Sequence, residues 1–276
     1  MNILFSKMHS IGNDFVVIDG VTQTVLLSAK IIRMLGDRHL GIGFDQLLLI
    51  EKSHVESCDF FYRIFNQDGS EAEQCGNGVR CCAQFIWDKK LSHKTSLAMH
   101  SKKGITVLQK QDDLVSANMG VPFFEPDAVP FIAKVAAITH PIRIHRKIYP
   151  LSVLSMGNPH AVLVVKNIDL APVKTVGSAL QKDAHFPQKA NVGFLEIVHR
   201  QAVRLRVFER GVGETLACGS GACAAVISGI RLGLLDETVS VKMSLGVLLV
   251  TWRGLNTPVI LTGSVTTSFT GQIDSL

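Results

Sequence analysis

Two stretches of this chain repeat one another. Residues 62–78, YRIFNQDGSEAEQCGNG, align with residues 205–221, LRVFERGVGETLACGSG, at an offset of 218 − 75 = 143 positions in a chain of 276. Arg63 matches Arg206, Phe65 matches Phe208, Glu71 matches Glu214, Cys75 matches Cys218, Gly76 matches Gly219 and Gly78 matches Gly221. Fainter echoes lie upstream at an offset of 145. Gly12-Asn13 precedes Phe15-Val16-Val17-Ile18, as Gly157-Asn158 precedes Ala161-Val162-Leu163-Val164-Val165. Gln46 opens Leu47-Leu48-Leu49-Ile50, as Asn191 opens Val192-Gly193-Phe194-Leu195. Chance explains any one such match, but it explains an ordered series poorly. The chain is therefore expected to build one supersecondary unit twice.

Each cysteine of the repeat is followed by glycines, a small polar residue and a helix-like apolar stretch. That places each thiol at a helix entrance, where unpartnered N–H groups and the positive end of the dipole favour thiolate. Two related halves, each with one such thiol, suggest one site with a sulfur on each side of a substrate. A lone cysteine is ordinarily a small buried apolar side chain. That reading is kept for Cys58, Cys81, Cys82 and Cys223, and the paired glycine contexts set Cys75 and Cys218 apart. The six cysteines contain no C-x-x-C, and no histidine pair lies near them at zinc spacing, so no metal is called for.

Strand-like runs outnumber helices. They include 15–19, 46–51, 59–65, 98–100, 104–109 and 114–119 in the first half. In the second half they fall at 148–154, 160–165, 192–198, 202–208, 239–243, 247–251 and 259–262. Helices are expected at 28–35, capped by Ser28, at 79–90 and at 222–234. Many short strands around one enclosed helix per half give an α+β fold. The stretch from Gly120 to Pro130, rich in proline, reads as the crossing between halves.

Composition narrows the function. Hydrophobic residues make up 47% and charged residues 18%, which describes a chain that packs a core. The net charge of +5 is spread without a basic run, so nucleic acid is not the expected partner and a small anion suits the balance as well. No apolar run reaches membrane-spanning length, and the first residues lack a leader's basic start and long apolar core. A cytoplasmic location is the expectation. Gly41-Ile42-Gly43-Phe44-Asp45-Gln46 lacks the third glycine of a dinucleotide fingerprint, and no P-loop, H-E-x-x-H or G-x-S-x-G occurs. Nothing in the sequence requires a cofactor.

Two opposed thiols suit one chemistry well. Moving hydrogen from one face of a carbon to the other needs a base on one face and an acid on the opposite face. Thiol and thiolate both lie near working pH. Helix N-termini carrying Gly76-Asn77 and Gly219-Ser220 can aim N–H groups at the charge that develops on a carboxylate. Glycine lets that backbone come close. Competing readings are a cysteine hydrolase with one activated thiol and a histidine base, and a non-catalytic binding protein.

The motifs, in order, are Met8-His9-Ser10-Ile11-Gly12-Asn13-Asp14-Phe15, Gly43-Phe44-Asp45-Gln46, residues 65–71 (FNQDGSE), Cys75-Gly76-Asn77-Gly78-Val79-Arg80, Gly157-Asn158-Pro159-His160, Asn191-Val192-Gly193-Phe194 and residues 209–223 (ERGVGETLACGSGAC). With these, the chain resembles the diaminopimelate epimerase family over essentially its whole length. The resemblance implies a cofactor-independent interconversion of LL- and meso-2,6-diaminopimelate, late in the route to lysine and peptidoglycan precursors, by a homodimeric enzyme. It implies two pseudo-symmetric domains, 1–119 plus 264–276 and 120–263, each a barrel-like, mostly antiparallel sheet around a central helix. Cys75 and Cys218 fall on its acid/base positions. Asn13, Gln46, Asn66, Gly76, Asn77, Asn158, Asn191, Glu209, Arg210, Gly219 and Ser220 fall on substrate contacts, and His160 and Glu209 on positions that tune the cysteines. A proline-racemase-like enzyme would share the fold and thiol pair but lack Arg210 and the amide-rich distal pocket. Gln67, Ser10-Ile11 and Ser220 depart from the commoner family residues. Glu71 and Glu214 are left outside the site, as groups that serve the local backbone.

Overall fold

A computed structural model describes residues 2–72 and 75–274. The chain divides into two compact units, Met1–Asn118 with Thr262–Leu276, and Met119–Leu261.

In the first unit, strand Ile3–Ser10 pairs antiparallel with Thr266–Ile273 on one side and with Asn13–Asp19 on the other. Asn13–Asp19 then pairs parallel with Gln46–Lys52, which pairs antiparallel with Phe60–Asn66. Phe60–Asn66 continues parallel to Ser96–Ser101 and carries the short strand Glu71–Ala72. Gly104–Gln111 and Leu114–Asn118 complete the series as hairpins.

The second unit repeats this order. Lys147–Ser155 pairs antiparallel with His140–Ile144 and with Pro159–Val165. A parallel step leads to Asn191–His199 and an antiparallel one to Ala202–Glu209. A parallel step reaches Thr238–Met243, and a hairpin reaches Gly246–Thr251. Even the register is shared: Phe15 faces Gln46 in one unit and His160 faces Asn191 in the other, both shifted by 145.

Four α-helices are assigned among the described residues: α1 (Ala29–Gly36), α2 (Gly76–Asp88), α3 (Val173–Leu180) and α4 (Gly219–Arg231). Helix α2 touches five strands of its unit, from Ile3–Ser10 round to Leu114–Asn118, so the sheet curls about it. Helix α4 does the same within the second unit, from Lys147–Ser155 to Gly246–Thr251. The outer helices cover the sheet from the other side: Ile32 and Leu35 of α1 pack on Val16, Ile18, Leu47 and Leu49. Val173, Val176 and Leu180 of α3 pack on Ala161, Leu163, Val192 and Phe194. A strand covered on both faces has no reason to alternate. Hence Leu47-Leu48-Leu49-Ile50 is one apolar run, wholly buried.

The structure amends several sequence expectations. Helices α2 and α4 begin three residues earlier than expected, because the glycines are their first turn. Helix α3 was not expected: it is short, contains Gly177, and lacks a side-chain cap. Its glycine is needed, since a Cβ there would sit 2.6 Å from Phe208 Cγ. Strand Ile3–Ser10 was hidden by Ser6, Lys7 and His9, and Thr266–Ile273 by a nearly uninterrupted polar, exposed sequence. The stretch from Gly120 to Pro130 carries a 3-10 turn, Pro126–Ala128. The four cysteines read as buried, Cys58, Cys81, Cys82 and Cys223, are buried. Glu71 and Glu214 serve ion pairs: Arg63 Nε donates to Glu71 Oε1 at 2.9 Å, and Arg206 Nε to Glu214 Oε1 at 2.6 Å. The repeat thus preserves one cross-strand clamp twice. Among the described residues, no helix is long and apolar enough to cross a membrane.

Candidate active site

The site residues of each unit gather where strand ends meet a helix N-terminus. In the first unit, Asn13 opens one strand, Gln46 opens its parallel neighbour, and Asn66 closes the next, directly opposite Gln46. Asn13 follows a two-residue turn with positive φ at both positions, 45° at Ile11 and 91° at Gly12. Two left-handed residues make the hairpin turn that matches strand twist. A β-branched residue at Ile11 adopts that conformation at a cost.

Cys75 is the N-cap of α2, with extended backbone, and its Sγ accepts the Gly78 N–H at 3.4 Å. The thiol donates to Asn13 Oδ1 at 3.8 Å. Asn77 Nδ2 donates to the same oxygen at 3.3 Å, and Asn13 Nδ2 donates to Asp45 Oδ2 at 3.0 Å. Gln46 Nε2 donates to Asn66 Oδ1 at 2.9 Å, and Asn66 Nδ2 donates to Ser70 Oγ. Gln46 Oε1 is buried and accepts no hydrogen bond from the described residues. Asn77 is buried too, so at this helix entrance the backbone of Gly76 and Asn77 is the part left to meet a ligand.

In the second unit Cys218 is the N-cap of α4. Its thiol donates to Glu209 Oε2 at 3.3 Å and lies 3.7 Å from Ser220 Oγ. Thr215 Oγ1 donates to the other carboxylate oxygen. Asn158 Nδ2 donates to Ser220 Oγ at 3.4 Å, and Asn158 Oδ1 lies 3.0 Å from His160 Nε2. Since the amide gives its N–H to Ser220, its oxygen faces the ring and His160 carries its proton on Nε2. His160 and Asn191 are buried. Asn191 Nδ2 donates to the Pro159 carbonyl, and Asn191 Oδ1 accepts the Arg210 backbone N–H at 2.9 Å. The Arg210 guanidinium is exposed and donates to Gln188 O at 3.3 Å. So Cys218, Glu209, Ser220, Asn158 and His160 form one hydrogen-bonded cluster, and Asn191 with Arg210 forms a second.

The two thiols stand in different fields. Cys218 is raised well above its ordinary value, first by burial and then by the adjacent Glu209 carboxylate; the Gly221 N–H and Ser220 oppose this. At Cys75 the position matching Glu209, at an offset of 143, is the neutral Asn66.

The sequence reading did not single out four residues that the structure ties to these clusters. Arg80 is wholly buried in α2 and bonds Asn77; Asp45 holds Asn13; Thr215 holds Glu209; Gln181 Nε2 donates to the Glu209 carbonyl. Arg80 could have been found, because a cation inside an otherwise apolar helix face needs a reason. Asp45 and Gln181 reach the site through tertiary contacts that no spacing reveals. A cavity of about 560 Å³ in the first unit, lined by Leu4, Phe5, Gln23, Phe85 and Thr270 among others, contains none of the expected site residues.

Comparison with known proteins agrees with the motifs. The diaminopimelate epimerase family description matches residues 5–124 and 152–268. The chain belongs to the diaminopimelate epimerase family. It is 50% identical over 275 residues to a diaminopimelate epimerase of Nitrosomonas europaea and to one of Chromobacterium violaceum, covering 99% of this chain and 100% of each relative. Members of this family are isomerases of lysine biosynthesis. The crystal structure of a hydroxyproline epimerase from Agrobacterium vitis, with bound trans-4-hydroxy-L-proline, superposes with a TM-score of 0.71. It is 16% identical and covers 99% of this chain and 92% of that one. That likeness extends the diaminopimelate epimerase fold, sheet-dominated α+β, to a distant sequence.

Proposed function

We propose that this chain interconverts LL- and meso-2,6-diaminopimelate by a two-base proton transfer between Cys75, Cys218 and the substrate's α-carbon. The observation that carries this reading is the duplicated helix entrance: each unit presents one thiol as the N-cap of a helix whose first residues are Gly76-Asn77 or Gly219-Ser220.

In the forward step a thiolate removes the α-proton. The C–H electron pair delocalises into the α-carboxylate, whose charge the helix N–H groups stabilise. The other thiol then gives its proton to the opposite face, and the enzyme is left with the protonation of its two sulfurs exchanged. Cys218 rests as the thiol, because its burial and Glu209 disfavour its anion. The substrate's ammonium group meets Glu209 and offsets that charge, so Cys218 ionises readily only with substrate bound. The amides Asn13, Gln46, Asn66, Asn158 and Asn191, with Arg210, hold the end that does not react. The buried, unfilled acceptor at Gln46 Oε1 suits a donor on the ligand. No cofactor takes part in this scheme. The family resemblance supports a homodimer in the cytoplasm as well, and sedimentation of the purified chain tests the dimer.

The experiment is Cys75→Ala and Cys218→Ala, assayed for epimerisation and for α-hydrogen exchange in D2O. Both variants should lose epimerisation by at least about 10³-fold, since each lacks the acid or base for one face. Near-normal inversion by either would refute the two-base scheme.

A further inference from the structure

We propose that Arg80 is the positioning residue of the Cys75 half-site: it fixes the Asn77–Asn13 amide pair against the thiol, a device the Cys218 half-site does without. The proposal rests on the assignment of Cys75 as an acid/base group.

Arg80 lies one turn inside α2 and is 0% exposed. Its Nη2 donates to Asn77 Oδ1 at 2.6 Å and to Ser10 Oγ at 2.9 Å, and its Nε donates to the Gly76 carbonyl at 3.3 Å. A guanidinium only donates, so the atom of Asn77 that faces it must be the oxygen. The amide nitrogen of Asn77 is thereby turned toward Asn13. Asn13 is fixed from its other end by Asp45, a carboxylate that only accepts and so takes the Asn13 N–H. Both constraints place Asn13 Oδ1 where the Cys75 thiol finds it. Release of Arg80 would free Asn77 to flip, presenting oxygen to oxygen at Asn13.

Asp45 is itself anchored, by Arg38, which also grips Asp14. Burial opposes the ionisation of Asp14, yet Arg38 and Lys7 hold its carboxyl well below the usual range. Among the described residues, Cys81, Cys82 and Tyr62 also feel the Cys75 charge. Burial, the largest cause, pushes all three upward and keeps them neutral. Arg80 thus sets a cation against the first turn of α2, bonded to both Gly76 and Asn77. The matching position in the second unit, 80 + 143 = 223, is Cys223, fully buried and carrying no cationic group. There Asn158 is oriented by His160 and Ser220 instead. Cys218 is thus an internal reference.

The test measures alkylation of each cysteine by iodoacetamide against pH, located by peptide mapping, together with kcat and KM. Arg80→Met should slow labelling of Cys75 about tenfold at neutral pH, moving its profile up by about one pH unit. The Cys218 profile should stay within twofold, and kcat should fall more than KM rises. Arg80→Lys, which keeps a donor to Asn77, should recover part of the Cys75 profile. Asn77→Ser provides a second route, because serine already stands at the matching position, Ser220, in α4. It loosens Asn13 Oδ1, the acceptor of the Cys75 S–H, while leaving the Arg80 cation in place, so the Cys75 profile should move down and its labelling quicken without touching Cys218. An unchanged Cys75 profile in Asn77→Ser, or equal shifts at both cysteines in folded Arg80→Met, would overturn the proposal. If labelling moves as expected while Cys75→Ala still epimerises, the positioning stands and the catalytic assignment fails.

Discussion

Raising the pH from 8 to 10 should destabilise the fold by an amount the buried thiols set. Cys81, Cys82 and Cys218 are all pushed above their ordinary value of 9.0, with burial the largest cause in each. In the unfolded chain they ionise near pH 9; in the folded chain they remain protonated. The folded state therefore binds more protons above pH 9, and stability must fall as pH rises. Their contribution is intact below pH 9 and drains as pH climbs toward the higher folded values. One pH unit above 9.0, each thiol costs about 1.4 kcal/mol, so three cost about 4 kcal/mol at pH 10. That is a large share of a typical folding free energy of about 5–15 kcal/mol. The loss divides unequally, since Cys81 and Cys82 lie in the first unit and Cys218 in the second. The two tryptophans separate the units: Trp87 lies in α2 and Trp252, 2% exposed, in the other unit. Urea unfolding of Trp252→Phe and of Trp87→Phe, followed by fluorescence between pH 8 and pH 10, should show about twice the loss at Trp87 as at Trp252. A total loss below about 1.5 kcal/mol would mean that at least two of these thiols ionise in the folded protein, refuting the argument.

Three further outcomes follow from the same geometry. Glu209→Gln removes the carboxylate beside Cys218 while keeping its shape; the Cys218 profile should move down by about 1–3 pH units, with faster alkylation at pH 8 and slower turnover. An unmoved profile would show that burial alone raises Cys218. Arg210→Lys keeps the charge but loses the planar fork, and KM for diaminopimelate should rise about tenfold or more with little change in stability. Equal KM values would remove Arg210 from the distal contacts. Gly221→Ala would set a Cβ 3.2 Å from Cys218 Sγ and 3.1 Å from Val207 Cγ2. The thiol must then shift by tenths of an ångström, and kcat should fall about 10- to 100-fold; normal kcat would argue that Sγ tolerates displacement.

The sequence made the repeat legible because its physical reasons are local. An arginine paired with a glutamate eight residues on clamps two adjacent strands, so Arg63–Glu71 and Arg206–Glu214 persist together. Glycines after each cysteine are needed where the helix packs hard on the sheet: a Cβ at Gly78 would lie 3.2 Å from Leu48 Cδ2 and 3.3 Å from Phe15 Cε1. What escaped the sequence depends on partners far along the chain. Strand Thr266–Ile273 has no apolar period, and its place is set by Ile3–Ser10, more than 250 residues away. Asp45 matters only because the fold brings it to Asn13.

The differences between the halves carry more of the chemistry than the matches do. A duplicated unit with two identical thiol sites would leave both sulfurs with the same proton affinity. Here the pairs Asn66/Glu209 and Arg80/Cys223 each change charge at a matched position, and both changes act in one sense. The first unit sets a buried cation behind its thiol and a neutral amide beside it. The second sets a carboxylate 3.3 Å from its thiol and a cysteine at the place of the cation. Under the proposed two-base scheme the resting proton belongs on Cys218, whose anion burial and Glu209 disfavour, and a ligand that neutralises Glu209 reduces the bias. Exchanging a single member of either pair should therefore weaken the bias, and exchanging both, as in Arg80→Met with Glu209→Gln, should bring the two alkylation profiles together. Profiles that stayed as far apart in the double variant as in the parent would show that burial, not charge, sets the two thiols apart.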